Sequence, residues 1–300
     1  MALVEPGGYQ RFLAGTPATL SVTFFDGSTV VDPGTVTVGV TTANGTALYA
    51  AGTATAGTGA AARTLALTTT DTAQLDQLTA VWVSPTEGTV TTYAEIVGQR
   101  IFSLSDARAV DRGQLASASD YPDDVLEEVR QRIEDDFEEI CGVSFIPRFA
   151  FEYYDGRGTQ TLMLRKFKEV TVRSIEVRTI GTTTWEAYDT TEMSLTFTDR
   201  HGVLLHELGV PFWPAFQNVR IGVEHGYRQV PLPIRRAALI LAASGAVGAV
   251  ASNLPDRATS MQTPEGSYVL STPGLRGSYY GIPRVDSVLA RFNERTRSFG

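Results

Sequence analysis

The feature that most constrains the fold is a change of rhythm near residue 100. Before it the chain is rich in Thr, Ala, Gly and Val, nearly free of charge, and alternates apolar with polar residues. Beyond it comes a highly charged segment in which apolar residues recur every three or four positions. A period of two belongs to a strand with one buried face, and a period of 3.6 to an amphipathic helix. The expected fold class is therefore α+β and multidomain. An N-terminal all-β, immunoglobulin-like sandwich occupies 1–100, and a helical domain with inserted antiparallel β-hairpins at about 147–226 occupies 101–266. A C-terminal tail covers 267–300.

Within the first segment, Ala18-Thr-Leu-Ser-Val-Thr-Phe-Phe25 alternates strictly, and Asp26-Gly27 reads as a turn. Val36–Val40, Ala62–Thr68, Leu78–Val83 and Thr91–Val97 follow as short β-prone runs, with Asn44-Gly45 as a further turn. Such spacing predicts an antiparallel sandwich with Trp82 as its core aromatic. Asp71–Asp76 reads as a short helical turn capped by Asp71 or Thr70.

The second segment predicts helices over 103–142. Val125, Leu126, Val129, Ile133, Phe137, Ile140 and Cys141 form an apolar stripe. Asp120 is the expected N-cap and Gly142 the C-terminal cap. From 146 the period of two returns. Phe149–Tyr154, the turn Asp155-Gly-Arg-Gly158 and Thr161–Leu164 read as a hairpin, and Val170–Arg178, Trp185–Tyr188, Met193–Phe197, Val203–Leu205 and Asn218–Glu224 as further strands. Ile234 to Asn253 predicts a small-residue helix suited to close packing. The tail from Ser267 is expected to depend on partners for order.

Charge is distributed unevenly. Residues 1–102 carry 7 acids and 3 bases, 103–145 carry 12 and 4, and 146–300 carry 14 and 18. The strongest cluster is acidic, which disfavours tight DNA binding. The longest strongly apolar run, Ala237 to Ala251, is 15 residues, short of the roughly 18–20 of a membrane helix. The N-terminus lacks the marks of a signal peptide, so a cytoplasm is expected and no membrane partner.

No catalytic or metal-binding constellation stands out, and no cofactor is expected. The single cysteine, Cys141, excludes an internal disulfide and lies on the apolar stripe, where burial and acids disfavour a reactive thiolate. His206-Glu207 lacks the second histidine of a zinc-peptidase helix, because Val210 stands there. His201 and His225 complete the histidines. The acidic crowd of 123–139 lacks the spacing of a calcium loop. Nor does Ser244 sit in a nucleophile elbow, since Ala242 replaces the first glycine.

The layout from Tyr121 to the C-terminus resembles the head-tail connector (head-completion adaptor) family of long-tailed bacteriophages. It rests on the helix entering Glu139-Ile-Cys-Gly-Val-Ser-Phe-Ile-Pro147, on Phe149–Leu164, on Val170–Val177, on Asn218–Tyr227, on Val230-Pro-Leu-Pro-Ile-Arg-Arg-Ala-Ala238 and on Ser278–Leu289. It covers about 180 of the 300 residues. The β-rich front departs from compact members and fits larger versions from phages of actinobacterial hosts, while the scarcity of lysine fits a GC-rich genome. The resemblance implies a structural virion protein rather than an enzyme. It would be assembled in the host cytoplasm as a homo-oligomeric ring, a dodecamer, at the neck under the portal protein. DNA would pass through its channel without sequence-specific binding, and a tail-side neck or stopper protein would follow. By that analogy the tail, through Tyr268, Val269, Leu270, Tyr279, Tyr280, Ile282 and Val285, engages the portal or a neighbouring subunit, as an added strand. The acidic face of Glu127, Glu128, Glu134, Asp135 and Glu138 then lines the channel. The competing expectation is a surface- or carbohydrate-binding module built on the β-rich front, and a phage or bacterial hydrolase is a third, lacking a paired acid site.

Overall fold

The computed structural model describes residues 9–113, 115–166, 168–179, 181–182, 184–188, 193–197, 202–206, 211–251, 260–263, 266–269 and 279–293. Among the described residues β-sheets dominate, accompanied by four α-helices. The chain divides into two compact units. One contains residues 1–99 with 147–225, and the other 100–146 with 226–300.

In the first unit, the N-terminal segment forms β1 (Gln10–Leu13), β2 (Ala18–Val22), β3 (Phe25–Asp26), β4 (Thr29–Val30), β5 (Thr37–Thr42), β6 (Ala47–Ala54), β7 (Arg63–Leu67), β8 (Asp76–Ser84) and β9 (Gly88–Val97). Five of these pair in the order β1-β9-β8-β5-β6, with β1 parallel to β9 and the rest antiparallel, while β2 pairs with β7 and β3 with β4. Alternation places Leu20, Val22, Val38, Val40, Leu65, Leu67, Leu78, Ala80 and Trp82 in one buried cluster. Trp82 is fully buried, and its indole N–H donates to Thr92 Oγ1 at 2.8 Å, so its one polar atom is satisfied. The Asn44-Gly45 turn joins β5 to β6. Asn44 Oδ1 accepts from Thr46 N, and Gly45 adopts φ 86°. Strands β1 and β6 have no counterpart in the sequence reading. Residues 71–74 make a single turn, in which Thr72 N donates to Thr68 O and Asp71 Oδ2 accepts from Thr68 N and from the Tyr49 hydroxyl, and Asp76 already opens β8.

The remainder of this unit comprises β10 (Arg148–Gly156), β11 (Thr161–Leu164), β12 (Thr171–Val177), β13 (Glu186–Ala187), β14 (Met193–Phe197), β15 (Gly202–His206) and β16 (Ala215–His225). They make a sheet β10-β16-β12-β13 and a second, β11-β15-β14. Leu162, Leu164, Ile175, Leu204, Phe212, Val219, Ile221 and Val223 are buried together in one core. The expected hairpin between 149–154 and 161–164 is corrected here: β10 pairs with β16 and β11 with β15. The chain after Gly156 is held instead by residues 212–218. Gly158 N donates to Phe212 O at 2.7 Å, Phe212 N to Thr159 O at 2.9 Å, and Gly156 N to Asn218 Oδ1 at 2.7 Å.

A buried charge cluster ties the two sequence-distant parts of this unit. Glu95, on β9, is 0% exposed; its Oε2 accepts from Arg11 Nε at 2.9 Å and its Oε1 from Arg148 Nε at 2.6 Å. Tyr9 lies beside it, its hydroxyl pushed up to about 12 by burial and by the Glu95 charge.

The second unit contains α1 (Leu104–Ala109), α2 (Asp123–Cys141), α3 (Leu232–Ala251), α4 (Pro283–Phe292) and a hairpin of β17 (Ser260–Thr263) and β18 (Gly266–Val269). The apolar stripe of α2 is buried at Leu126, Ile133, Phe137 and Cys141, and Gly142 closes the helix at φ 73°. Its N-cap is Pro122, with no side-chain cap, and not Asp120. Helices α2, α3 and α4 pack against one another, with Ile234, Ala237, Ala238 and Ala242 of α3 buried.

Helix α1 begins at a reciprocal cap. Ser103 Oγ accepts from Asp106 N, while Asp106 Oδ2 accepts from Ser103 N and pairs with Arg235 of α3. The Ser103 hydroxyl, the Arg235 guanidinium and the Ser103 N–H hold the Asp106 carboxyl down to about 2. An unstructured aspartate titrates near 3.9. The stabilisation is therefore complete above about pH 4 and is lost as pH falls from there towards 2. Asp106→Asn is expected to lower the melting temperature at pH 7 and to leave roughly half of that gap at pH 3. Thermal melts showing equal deficits at both pH values would overturn this assignment.

Candidate functional site

Two surfaces bear on function: the helical unit that carries most of the residues named above, and an aromatic tip on the β unit.

In the helical unit, the acidic residues of α2 separate into two sets. Glu134 is 4% exposed, and its Oε1 accepts from Arg100 Nε at 3.1 Å and Ile101 N at 2.9 Å. It therefore belongs to the interior and not to an acidic outer face, which corrects the expectation for this residue. Buried Arg130 donates to Phe102 O at 2.9 Å and pairs with Glu127, which also faces Arg100 at 3.3 Å. This network fixes residues 100–102 against α2, a task the helical period could not reveal. Glu128 is exposed with Asp123, Asp124 and Glu139, while Asp135 and Glu138 are half-buried.

The tail residues are also divided. Tyr268 and Val269 lie in β18, and Leu270 lies outside the described residues. Residues 279–293 dock on their own chain, which corrects the expectation of a partner-dependent strand there. Pro283 and Asp286 shape the start of a helix. Asp286 carboxylate oxygens accept from Tyr280 N at 2.9 Å and Gly281 N at 3.1 Å. Val285 and Leu289 are fully buried, so Val285 is taken up by this packing and is unavailable to a partner while α4 is docked. The Tyr280 hydroxyl donates to Asp136 Oδ2 at 3.0 Å, and its ring lies 6.2 Å from that of Phe137. Burial, with the Asp136 charge, raises the Tyr280 hydroxyl far above its ordinary range. The Tyr279 hydroxyl accepts from Asn293 Nδ2, and Ile282 is the N-cap.

Cys141 is fully buried, its Sγ 3.7 Å from Leu289 O. His225 is buried at the end of β16; His206 ends β15, and His201 lies outside the described residues. Among the described residues no group of three His, Cys, Asp or Glu could hold a metal ion, and no helix is long and apolar enough to cross a membrane.

The aromatic tip was not anticipated, although Pro211-Phe-Trp-Pro-Ala-Phe216 carries a legible signal: three aromatics and two prolines in six residues. Trp213 is 72% and Phe216 76% exposed. Between the pairs Tyr154↔Val219 and Gly156↔Ala215 the register shifts, and the surplus residues of β16 bulge outward. Gln217 at the bulge adopts φ 44°, a costly conformation for a residue with a side chain. Local bonds enforce it. Gln217 N donates to Asp155 Oδ1 at 2.8 Å, Arg178 N to Asn218 O at 2.8 Å, and Asn218 Nδ2 to Trp213 O at 2.9 Å. Beside the tip lies a cavity of about 480 Å³, walled by Val177, Tyr188, Phe212, Trp213 and Pro214, with Arg178 and Glu186.

No family model and no curated protein matches this sequence. Among solved structures, the chain is similar to one in "Neck of empty GTA particle computed with C6 symmetry", at 13% identity and a TM-score of 0.43, covering 64% of this chain and 89% of that one.

Proposed function

We propose that the protein is a structural subunit of a phage-type neck: a head-to-tail adaptor that assembles as a ring under a portal, extends the DNA channel and receives the next tail-side protein. The observation that carries this reading is the way the connector-like sequence packs. The helix before Pro147, the helix opened by Pro231-Leu-Pro233 and the ending near Leu289 are separated by as many as 90 residues (142–231) of β insertion and loop, yet they become α2, α3 and α4 of one helical unit. In the reading, the exposed acids Asp123, Asp124, Glu128 and Glu139 give α2 a face that DNA slides past without sticking. The N-terminal sheets are an immunoglobulin-like decoration, and the protein has no catalytic role.

The test is negative-stain electron microscopy of the full-length protein, alone and mixed with the portal protein encoded beside its gene. Rings with a central channel, free or stacked on the portal, are the expected result. Particles that remain monomeric and leave the portal bare at micromolar concentrations would overturn the adaptor reading. The runner-up, a carbohydrate-binding module, draws its support from the exposed Trp213 and Phe216 rather than from the N-terminal segment. A glycan screen in which binding is abolished by Trp213→Ala would move the assignment there.

A further inference from the structure

We infer that the aromatic tip is a subunit contact: Phe216 of one copy enters the cavity bounded by Tyr188 and Trp213 on a second copy. This inference rests on the ring reading above and specifies one of its interfaces. It begins from the placement of knob and cavity on the same strand end. Ala215 and Asn218 line the cavity, whereas Phe216, between them, does not and stands 76% exposed. Knob and cavity therefore face different directions in each copy. A patch that meets a different patch on its neighbour makes a head-to-tail contact, and such contacts close into rings when the rotation permits.

The tip is built to be held rather than to flex. The bulge keeps Gln217 at φ 44°, and Asp155, Asn218 and Arg178 all bond to residues 213–218. Strain that is over-determined by its surroundings is characteristic of functional positions, and rigid aromatics bind with little entropic loss. The occupant fits the chemistry of the site. The walls are Val177, Tyr188, Phe212, Trp213 and Pro214, and a cavity of about 480 Å³ accommodates an apolar ring with room for its flanking backbone.

The size of the contact also matters. An aromatic side chain buries about 150–250 Å², so covering Phe216, with equal area lost on the facing copy's cavity wall that includes Trp213, amounts to roughly 300–500 Å². A standard stable interface buries about 1,200–2,000 Å². One tip-and-cavity contact is thus weak alone and gains persistence when a closed ring repeats it. Self-association is expected to be concentration-dependent.

Two variants, each with one added cysteine, supply the test, because the one native cysteine, Cys141, is fully buried. Full-length Phe216→Cys and Glu186→Cys are mixed under mild oxidation. A disulfide heterodimer formed several-fold above either homodimer is the expected result, together with at least a tenfold weaker self-association of Phe216→Glu by sedimentation velocity. Circular dichroism of Phe216→Glu should match wild type, since the side chain is exposed. Rings that form normally with Phe216→Glu, without the heterodimer, would overturn the contact and leave the adaptor reading standing. Heterodimers without channel-bearing rings would uphold the contact and overturn the adaptor reading. Homodimers of Phe216→Cys in excess would place tip against tip and overturn the proposal.

Discussion

Replacing Glu95 by alanine is expected to destabilise the β unit by about 3–5 kcal/mol, the usual consequence of removing one partner from a buried ion pair. Glu95 is wholly buried, and both of its oxygens are occupied. Oε1 accepts from Arg148 Nε, and Oε2 from Arg11 Nε and from a terminal nitrogen of Arg148 at 2.9 Å. Removing the carboxylate leaves the fully buried Arg11 side chain and the nearly buried Arg148 side chain close together without their shared counter-charge. Arg11 cannot reach water without opening β1, whereas Arg148 keeps a 17% exposed edge. Glu95→Gln is expected to cost nearly as much, because it keeps the volume and loses the charge, which separates an electrostatic defect from a cavity. At roughly 2–4 °C per kcal/mol for a unit of this size, the melting temperature should fall by on the order of 10 °C. Replacing Arg11, Glu95 and Arg148 together by methionine should recover much of the loss, as apolar substitution of a buried ionic cluster often does. A loss below about 1 kcal/mol for Glu95→Ala, by denaturant melts, would show that the cluster does not hold the sheets together.

This cluster also shows where sequence reading stops. The strands around Trp82 and the α2 stripe were legible because each is encoded locally, by a period of two or of 3.6 over adjacent residues. The boundaries of β8 and β9 fell within a few residues of Leu78–Val83 and Thr91–Val97. Glu95 sits inside a legible strand, yet its burial depends on Arg148, 53 positions away, and no local pattern marks that pairing. Glu134 follows the same logic: the helical wheel gives its direction on α2, while Arg100 and Ile101 supply the partners that bury it. The hairpin expected after β10 failed because a Gly-rich turn between two strands is a strong local signal, and residues 212–218 compete for the same backbone groups. In the tail, Asp286 and the Leu289 side chain turn a Gly- and Tyr-rich approach into a docked helix, which composition alone could not show. The three connector-like helices are each encoded locally, and packing makes α2, α3 and α4 neighbours.

Gly156→Ala carries the second large effect and joins the fold to the proposed contact. A Cβ at this position would fall far inside van der Waals distance of the Trp213 carbonyl oxygen, with its carbon at 2.8 Å and Asn218 Oδ1 at 2.9 Å. The obstacle is backbone, which cannot rotate away, so the strand end must separate from residues 212–218. The Gly156 N–H bond to Asn218 would lengthen, and Asn218 would loosen its hold on Trp213. Overpacking of this kind costs about 3 kcal/mol or more when no side chain can yield. Gly59→Ala is the matched control. Gly59 has φ 64° but nothing within 4 Å of its Cβ position, so only the left-handed penalty of about 1–2 kcal/mol applies. Denaturant melts should therefore rank Gly156→Ala well below Gly59→Ala in stability. Under conditions where both remain folded, the disulfide between the Phe216→Cys and Glu186→Cys partners should fall several-fold when Gly156→Ala is added and stay unchanged with Gly59→Ala. Equal stability losses in the two alanine variants would mean that the close approach of β10 to the Trp213 carbonyl is absent. A normal disulfide yield despite the larger loss would mean that the tip keeps its shape without Gly156, and that Asp155 and Arg178 suffice to hold it.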